Sequence, residues 1–368
     1  MAKRIQDSNP KQDGFRMPGE FERQEKIWML WPERPDNWRD GAKPAQRAYK
    51  DVAEAICKFE PVVMLVSPTQ YINCRNQLSS DISVVEMTNN DAWVRDCGPT
   101  FLKNSRGELR ACDWIFNAWG GLTNGLYFPW DQDDLVARKI CELERIDSYR
   151  ADFVLEGGSI HVDGEGTVLT TKMCLLDKGR NPSLTQEEIE ERLCSYLNCE
   201  KVLWLKDGID KEETKGHIDD VACFIAPGEV ACIYTEDKQH PFYSVAQQIY
   251  QELCEMEDAK GRRLKVHKIC CTKDPVRIPP NFQIDLVEGS AARKTGDLCF
   301  ASYINFLIVN GGVIVPQYGD EHDALALKQM RDLFPDRRVV GVNTREIVYG
   351  GGNIHCITQQ QPAAETTE

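Results

Sequence analysis

The stretch "YGGGNIHCITQQQP", from Tyr349 to Pro362 in a chain of 368 residues, sets Cys356 close behind three consecutive glycines. A thiolate is a strong nucleophile when a cation, a histidine or a helix N-terminus lies nearby. Fifteen cysteines occur in the chain, so residue type alone does not single out Cys356; the glycine run does. Glycine loses the most backbone entropy on folding. Three in an ordered place imply either a loop that flexes or a main chain that approaches something bound, which makes Gly351 and Gly352 candidate substrate contacts. A buried structural cysteine is the bland alternative. His355 adjoins Cys356, but neighbouring side chains on a strand face opposite ways, which argues against His355 as its base.

His217 in "KGHIDD" is better placed. Asp219 follows two residues later, on the same strand face, and a histidine and carboxylate that point together can shuttle a proton and anchor a cation. Such a pair also occurs where the carboxylate only orients the ring. Asp220 then faces away. Asp96 in "NDAWVRDCGPT" is either half of a local pair with Arg95 or a turn former before Gly98. Glu156 in "VLEGGSIHVDG" precedes two glycines, as a solvated strand end or as a buried acid beside a close backbone approach; His161, at an odd offset from it, reads as structural. Two Asp, one Glu, one His and one Cys suit a planar cation with several N–H donors, because carboxylates accept paired hydrogen bonds from a guanidinium. Its resonance-stabilised carbon is a poor electrophile, so attack by sulfur needs positioning and a proton for the leaving nitrogen. No His-x-x-x-His or C-x-x-C pair offers zinc-ligand spacing.

These residues must be delivered by strands and turns. Lys26–Pro32 reads as a strand, Pro44–Glu60 as a helix with apolar residues at helical spacing and proline at its start, and Pro61–Ser67 as a buried strand. Four later segments, "CGPTFLKNSRGELRACDW", "GSIHVDGEGTVLTT", "HIDDVACFIAPGEVACIY" and "SYINFLIVNGGVIVPQYG", each place two apolar runs around a hairpin-type turn. Helical patterns at Gln186–Leu197 and Ser244–Glu257 lie between some of them. The polar residues entering the hairpins keep step: 156 − 96 = 60 and 217 − 156 = 61. A repeat of that size containing strands and a helix suggests modules around a common axis, which would bring sequence-distant residues into one central pocket; a two-domain α/β protein is the fallback. The fourth interval is longer, and Gly261–Thr295 reads as a basic, proline-containing insertion. Residues 1–18 read as a loose, polar lead-in and 363–368 as a tail, leaving 19–362 as the folded unit.

Charge disfavours one class of partner. The 44 basic and 58 acidic residues leave −14, which disfavours nucleic acid, whose affinity comes largely from basic groups on phosphates. The acidity is compatible with a cationic small molecule. The N-terminal residues lack an apolar stretch resembling a signal peptide, and no segment approaches the roughly 20 apolar residues of a membrane span. With scattered thiols of odd number, this predicts a reducing, cytoplasmic setting.

"MLWPERPDNWRD", "NDAWVRDCGPTF", "FNAWGG", "LEGGSIHVDGEGT", "GHIDD" and "GGGNIHCITQQQP", in this order from about Met17 to Pro362, resemble the agmatine deiminases of the guanidine-modifying superfamily. The resemblance implies a fivefold pseudosymmetric α/β propeller of ββαβ modules around a central pocket. It implies hydrolysis of agmatine to N-carbamoylputrescine and ammonia without metal or organic cofactor, in a homodimer or tetramer. The family's nucleophile matches Cys356, its general acid/base His217, its guanidinium-binding acids Asp96 and Asp219, and Glu156 the acid that supports histidine and substrate. For the methylene chain, Trp93 and Trp119 are candidate walls. The nearest rival is a deiminase or hydrolase acting on arginine or another guanidino compound. A rival of another class is a binding protein, since the same propeller resembles that of a ribosome-binding initiation factor.

Overall fold

The computed structural model describes residues 2–364, and its strands fall into five sheets with one recurring local order. In each sheet a strand pairs antiparallel with the next, and that second strand pairs parallel with a third reached through a helix. Thr100–Asn104, Leu109–Ile115 and Ser148–Val154 make the first such set, around helix Val136–Glu144. His161–Val162, Thr167–Thr171 and Lys201–Leu205 make the second, around helix Gln186–Leu197. Ala222–Ala226, Glu229–Tyr234 and Lys265–Cys270 enclose helix Tyr243–Glu255, and Leu307–Val309, Gly312–Gln317 and Arg338–Asn343 enclose helix Asp323–Leu333. The fifth set joins the two ends of the chain: Thr358–Pro362 pairs antiparallel with Gln24–Leu30, which pairs parallel with Val62–Val66 beyond helix Lys43–Ile56.

Local chemistry explains the elements. Pro44 sits in the first turn of its helix, where its missing N–H is no loss. Thr185 caps the helix at Gln186: its hydroxyl accepts from Glu188 N at 3.2 Å while the Glu188 carboxylate accepts from Thr185 N at 2.8 Å. Val62–Val66 is buried at every position, as a parallel strand covered on both faces must be. The four hairpins read from sequence are all present, with their turns at the glycine-containing positions.

Three boundaries differ from expectation. Within residues 1–18, Arg4–Ile5 pairs with Ser148–Tyr149, Phe15–Arg16 pairs with Lys103–Asn104, and Phe15 is buried, so this lead-in widens the first sheet to five strands. The apolar Phe15 and the open sheet edge supply the reason. The segment 261–295 is not one insertion: Lys265–Cys270 hydrogen-bonds along Glu229–Tyr234 and completes the third set. The irregular stretch begins after it and carries Ser290, Ala291 and Arg293 to the wall of a cavity. Of the tail expected at 363–368, Ala363 is buried and donates its N–H to Arg23 O at 2.9 Å, and 365–368 lie outside the described residues.

The fifth set matters most for function, because Cys356 stands two residues before the strand that closes it. Met29 is fully buried at the middle of that join, opposite Thr358 on one side and Met64 on the other. Replacing Met29 by Ala is expected to lower unfolding free energy by about 2–5 kcal/mol, as for other buried methionines, measured as a shift in the urea midpoint at unchanged slope.

Candidate active site

Turns that enter the first strands of the five sets carry the polar residues. Asp96 lies in the single turn Val94–Cys97 ahead of Thr100–Asn104, and Glu156 just before the turn Gly157–Ser159. His217 and Asp219 flank and occupy the turn Ile218–Asp220, Asn305 precedes Leu307–Val309, and Cys356 precedes Thr358–Pro362. These are helical turns, not strand ends, so the strand-face argument that paired His217 with Asp219 does not apply to them. The residues still meet. His217 Nδ1 lies 3.9 Å from Asp96 Oδ1 and 3.9 Å from Asp219 Oδ1, and its Nε2 lies 3.7 Å from Glu156 Oε2. Cys356 Sγ is 3.7 Å from Asp219 Oδ2 and receives Asn305 Nδ2–H at 3.2 Å. All five predicted catalytic residues are buried.

Several polar atoms there have no partner. Both ring nitrogens of His217, Glu156 Oε2 and Asp219 Oδ1 are buried without a hydrogen bond, an expensive condition for a desolvated group. Glu156 Oε2 lies on the Nε2 side of the His217 ring and Asp219 Oδ1 on its Nδ1 side; unpaired acceptors of this kind suit a ligand with several N–H donors.

The charges order themselves by what each group touches. Burial pushes the Glu156 carboxyl up, but Arg180, whose Nε donates to it at 3.1 Å, and His217 outweigh burial and hold it below the ordinary range. Burial also opposes ionisation of Asp219, and His355, His217 and Arg95 overcome it. Asp96 has the weaker set of cations; burial raises it despite His217, with the Asp219 and Glu156 carboxylates adding to the rise. Burial disfavours a charged His217, yet the Asp96 carboxylate, Cys174 and Glu156 keep it protonated well above the usual histidine range. Cys356 is the reverse. Burial and the Asp219, Asp220 and Asp96 carboxylates push its thiol well above the ordinary cysteine range. This direction favours the thiol over the thiolate in the free protein.

The glycines are explained by close approach. A Cβ on Gly158 would lie 2.6 Å from His217 Nδ1, 2.8 Å from Asp96 Oδ1 and 3.0 Å from Asp219 Oδ2; only a residue without a side chain leaves that space. Its N–H donates to Asp96 Oδ1 at 2.9 Å. Gly352 is equally confined, with Trp93 at 2.6 Å and Cys356 Sγ at 3.1 Å from such a Cβ, and Gly351 has φ +108° beside Glu213. Trp93 and Trp119 line a narrow cavity that leads to Cys356, with Gly350–Gly352 along one side. The indole N–H of Trp119 donates to Asp96 Oδ2 at 2.8 Å and that of Trp93 to Asp91 Oδ2 at 2.8 Å. Both tryptophans are therefore at once wall and support.

Sequence reasoning missed four contributors. Asn305 precedes the fourth hairpin as Asp96, Glu156 and His217 precede the first three, and that step was the available signal. Arg180, which fixes Glu156, and Glu213, which Arg293 holds on the cavity wall through two hydrogen bonds of 3.0 and 2.9 Å, gave no pattern. His355 bonds Asp219 Oδ2 at 2.8 Å, a contact hidden by treating residues 353–357 as a strand when they form a turn.

Residues 16–362 match the Porphyromonas-type peptidyl-arginine deiminase family. A curated relative from Lactococcus lactis subsp. lactis, named as an agmatine deiminase, is 69% identical over 366 residues, 99% of this chain and 100% of its own length. The solved structure of the agmatine deiminase of Enterococcus faecalis is 68% identical and superposes with a TM-score of 0.98 over 99% of this chain and 100% of that one. A variant agmatine deiminase of C. jejuni with substrate bound shares 26% identity and a TM-score of 0.81 over 95% and 97% of the two chains.

A thiol surrounded by carboxylates should be slow to alkylate. Iodoacetamide labelling of Cys356 in the free protein, followed by peptide mass spectrometry, is expected to accelerate steadily as pH passes 9, the ordinary thiol value, without levelling off. A plateau already reached near neutrality would mean a preformed thiolate.

Proposed function

The chain belongs to the Porphyromonas-type peptidyl-arginine deiminase family, and from that premise we propose that it hydrolyses agmatine to N-carbamoylputrescine and ammonia through an amidino-thioether on Cys356. The observation that supports this reading is the chain of buried, unpartnered polar atoms that leads to the sulfur: Glu156 Oε2 lies 3.7 Å from His217 Nε2, His217 Nδ1 3.9 Å from Asp219 Oδ1, and Asp219 Oδ2 3.7 Å from Cys356 Sγ. Relatives named as agmatine deiminases are near 69% identical over the full length, which places agmatine ahead of arginine as substrate. The five sheets of common local order support the finer architecture, one fivefold pseudosymmetric α/β propeller whose catalytic unit spans 19–362 and whose entry turns converge on the pocket. Family resemblance extends the reading to a cytoplasmic homodimer or tetramer. No helix among the described residues is long and apolar enough to cross a membrane.

In this mechanism Asp96, Asp219 and Glu156 hold the guanidinium while the walls of Trp93 and Trp119 confine the methylene chain. Arrival of the cation offsets the carboxylates that keep Cys356 protonated, so the thiol gives up its proton to water. Sulfur attacks the central carbon and a neutral tetrahedral adduct forms. His217 donates its proton to one amino group, the carbon–nitrogen bond breaks, and ammonia leaves with a cationic amidino-thioether behind. Neutral His217 takes a proton from water as the hydroxide adds to that carbon. The carbon–sulfur bond then breaks, the hydroxyl proton passes to the departing sulfur as the carbonyl forms, and the site returns to the Cys356 thiol and the His217 imidazolium. Positioning and acid–base transfer supply the rate; general acid–base steps of this kind contribute about 10²–10⁴-fold.

Cys356→Ser and His217→Ala are each expected to abolish ammonia release from agmatine while leaving the circular dichroism spectrum unchanged. Rapid acid quench of the wild-type enzyme should yield a peptide containing Cys356 heavier by the amidino group; near-normal turnover in either variant would overturn the assignment.

Glu213 is the proposed partner of the substrate amine. It lines the same cavity as Cys356 and lies beside Gly351, so a short diamine chain reaching back from the sulfur would meet it. Glu213→Gln should raise KM for agmatine by about tenfold, the size of one lost charged contact of about 1.4 kcal/mol, with kcat little changed. A steady-state comparison with arginine at the same pH serves as control: arginine preferred over agmatine by the wild-type protein would replace the substrate assigned here.

A further inference from the structure

The steps above leave one buried charged assembly unused. His355 Nδ1 lies 2.8 Å from Asp219 Oδ2 and its Nε2 lies 2.8 Å from Glu20 Oε2. Both Glu20 and His355 are at most 5% exposed. Glu20 Oε1 accepts the N–H of Ile308 at 2.8 Å, and Arg95 Nε donates to His355 O at 3.2 Å. The ring of His161 stacks beside that of His355 with centroids 6.0 Å apart, and its Nε2 is 3.7 Å from Glu20 Oε2.

Glu20, His161 and His355 bring one ligand atom each within 4.8 Å of one another, which invites a metal reading. Proton placement argues against it. His161 Nδ1 accepts the N–H of Phe224 at 3.2 Å, so in a neutral ring the proton is on Nε2, the atom that would need a lone pair. His355 faces a carboxylate oxygen with each nitrogen, so both nitrogens donate and neither is available.

We propose that Glu20 and His355 are a positioning pair for this reaction: His355 fixes and charge-balances Asp219, and through its peptide bond to Cys356 also fixes the direction of the sulfur. The inference rests on the function proposed above. Asp219 has Cys356, Asp96 and Asp220 as close acidic neighbours, and only His355, His217 and Arg95 as cations. His217 must give up its charge during the reaction, so it cannot hold Asp219 ionised throughout. His355 can, because Glu20 keeps it company in a desolvated site where an unpaired charge would be costly. The directions agree: burial and Arg95 oppose protonation of His355, yet Glu20 and Asp219 raise it, and His355 with His161 and Arg95 holds Glu20 well below the ordinary carboxyl range despite burial. An ionised Asp219 clamps a cation; a protonated one does not.

The test uses the full-length enzyme and the near-isosteric variants His355→Gln and Glu20→Gln. With the fixed cation gone, Asp219 takes up a proton more readily. The acid limb of kcat/KM for agmatine should therefore move upward by about one pH unit, and KM measured on that limb should rise about tenfold, a defect that disappears as pH approaches neutrality. A second readout needs no turnover: at the acid pH where the variants' limb has moved, the rate of Cys356 alkylation by cationic 2-chloroacetamidine, divided by that for neutral iodoacetamide, should fall about tenfold in both variants. Variants that fold and lose rate with an unshifted acid limb and an unchanged ratio would overturn the pair's role. Loss of fold in both would reassign it to stability and overturn it equally. If the wild-type protein releases no ammonia from agmatine, the proposed function fails by itself, and the alkylation ratio still decides the pair.

Discussion

Negative charge held out of water is the constraint around which this molecule is arranged. Asp96, Glu156, Asp219, Asp220 and Glu20 are all buried within the same few turns. Carboxylates in such a place protonate unless a cation or hydrogen bonds hold them ionised. Glu156 has Arg180; Asp219 and Glu20 share His355; Asp96 accepts the Trp119 indole and the Gly158 amide. The sulfur of Cys356 makes no ion pair among the described residues; it receives the Asn305 amide and lies 3.7 Å from Asp219 Oδ2, with Arg95 the cation that acts on it electrostatically. One positive charge is missing from the site, and a guanidinium would bring it. Substrate recognition and nucleophile activation are then a single electrostatic event, since the charge that binds is also the charge that ionises the thiol.

That design demands tight geometry, and the chain meets it with turns whose small residues let main chain and side chains pass close to one another. Gly158 leaves room for His217, Asp96 and Asp219 at once, and Gly350, Gly351 and Gly352 admit Trp38, the Glu213–Arg293 pair and Trp93 with Cys356. Each set of strands contributes a turn, so a packing error in any sheet displaces one member of the site. The set that joins chain ends is the most consequential, because Cys356 is held by the strand that the last residues add beside Gln24–Leu30.

Much of this was legible in the sequence. The 60-residue step located Asp96, Glu156 and His217 before equivalent hairpins, and the glycine run singled out Cys356; these are local signals of type and spacing. What the sequence hid has a common physical cause. Strand parity tells which side chains face together along a sheet, but Asp96, Glu156, His217 and Asp219 lie in or beside short helical turns, where parity has no meaning. His355 was set aside by that rule and bonds Asp219. Asp219 was paired with His217 by it, and the two approach for a different reason, the turn Ile218–Asp220. Glu20 and Arg180 act through contacts spanning 335 and 24 positions respectively, and no periodicity marks them. In 261–295 a basic composition obscured a parallel strand, because parallel pairing depends on a partner that precedes it by more than thirty residues.

The cysteines show why acidity alone is a poor guide to the nucleophile. Cys194 is lowered to about 7 by a hydrogen bond with Cys199, whose Sγ is 3.6 Å away, and would be chosen if the most acidic thiol were sought. It sits at the end of helix Gln186–Leu197, half-buried, with no carboxylate clamp beside it. Cys356 is among the thiols hardest to ionise. In the proposed reaction its reactivity is conditional, present when a cation occupies the carboxylates and suppressed otherwise. A permanently ionised sulfur in this pocket would add another uncompensated buried charge and would be open to any small electrophile entering the cavity. Keeping it protonated until the guanidinium arrives restricts attack to ligands that carry positive charge at the right carbon, so the high resting value of the thiol is itself part of the selectivity.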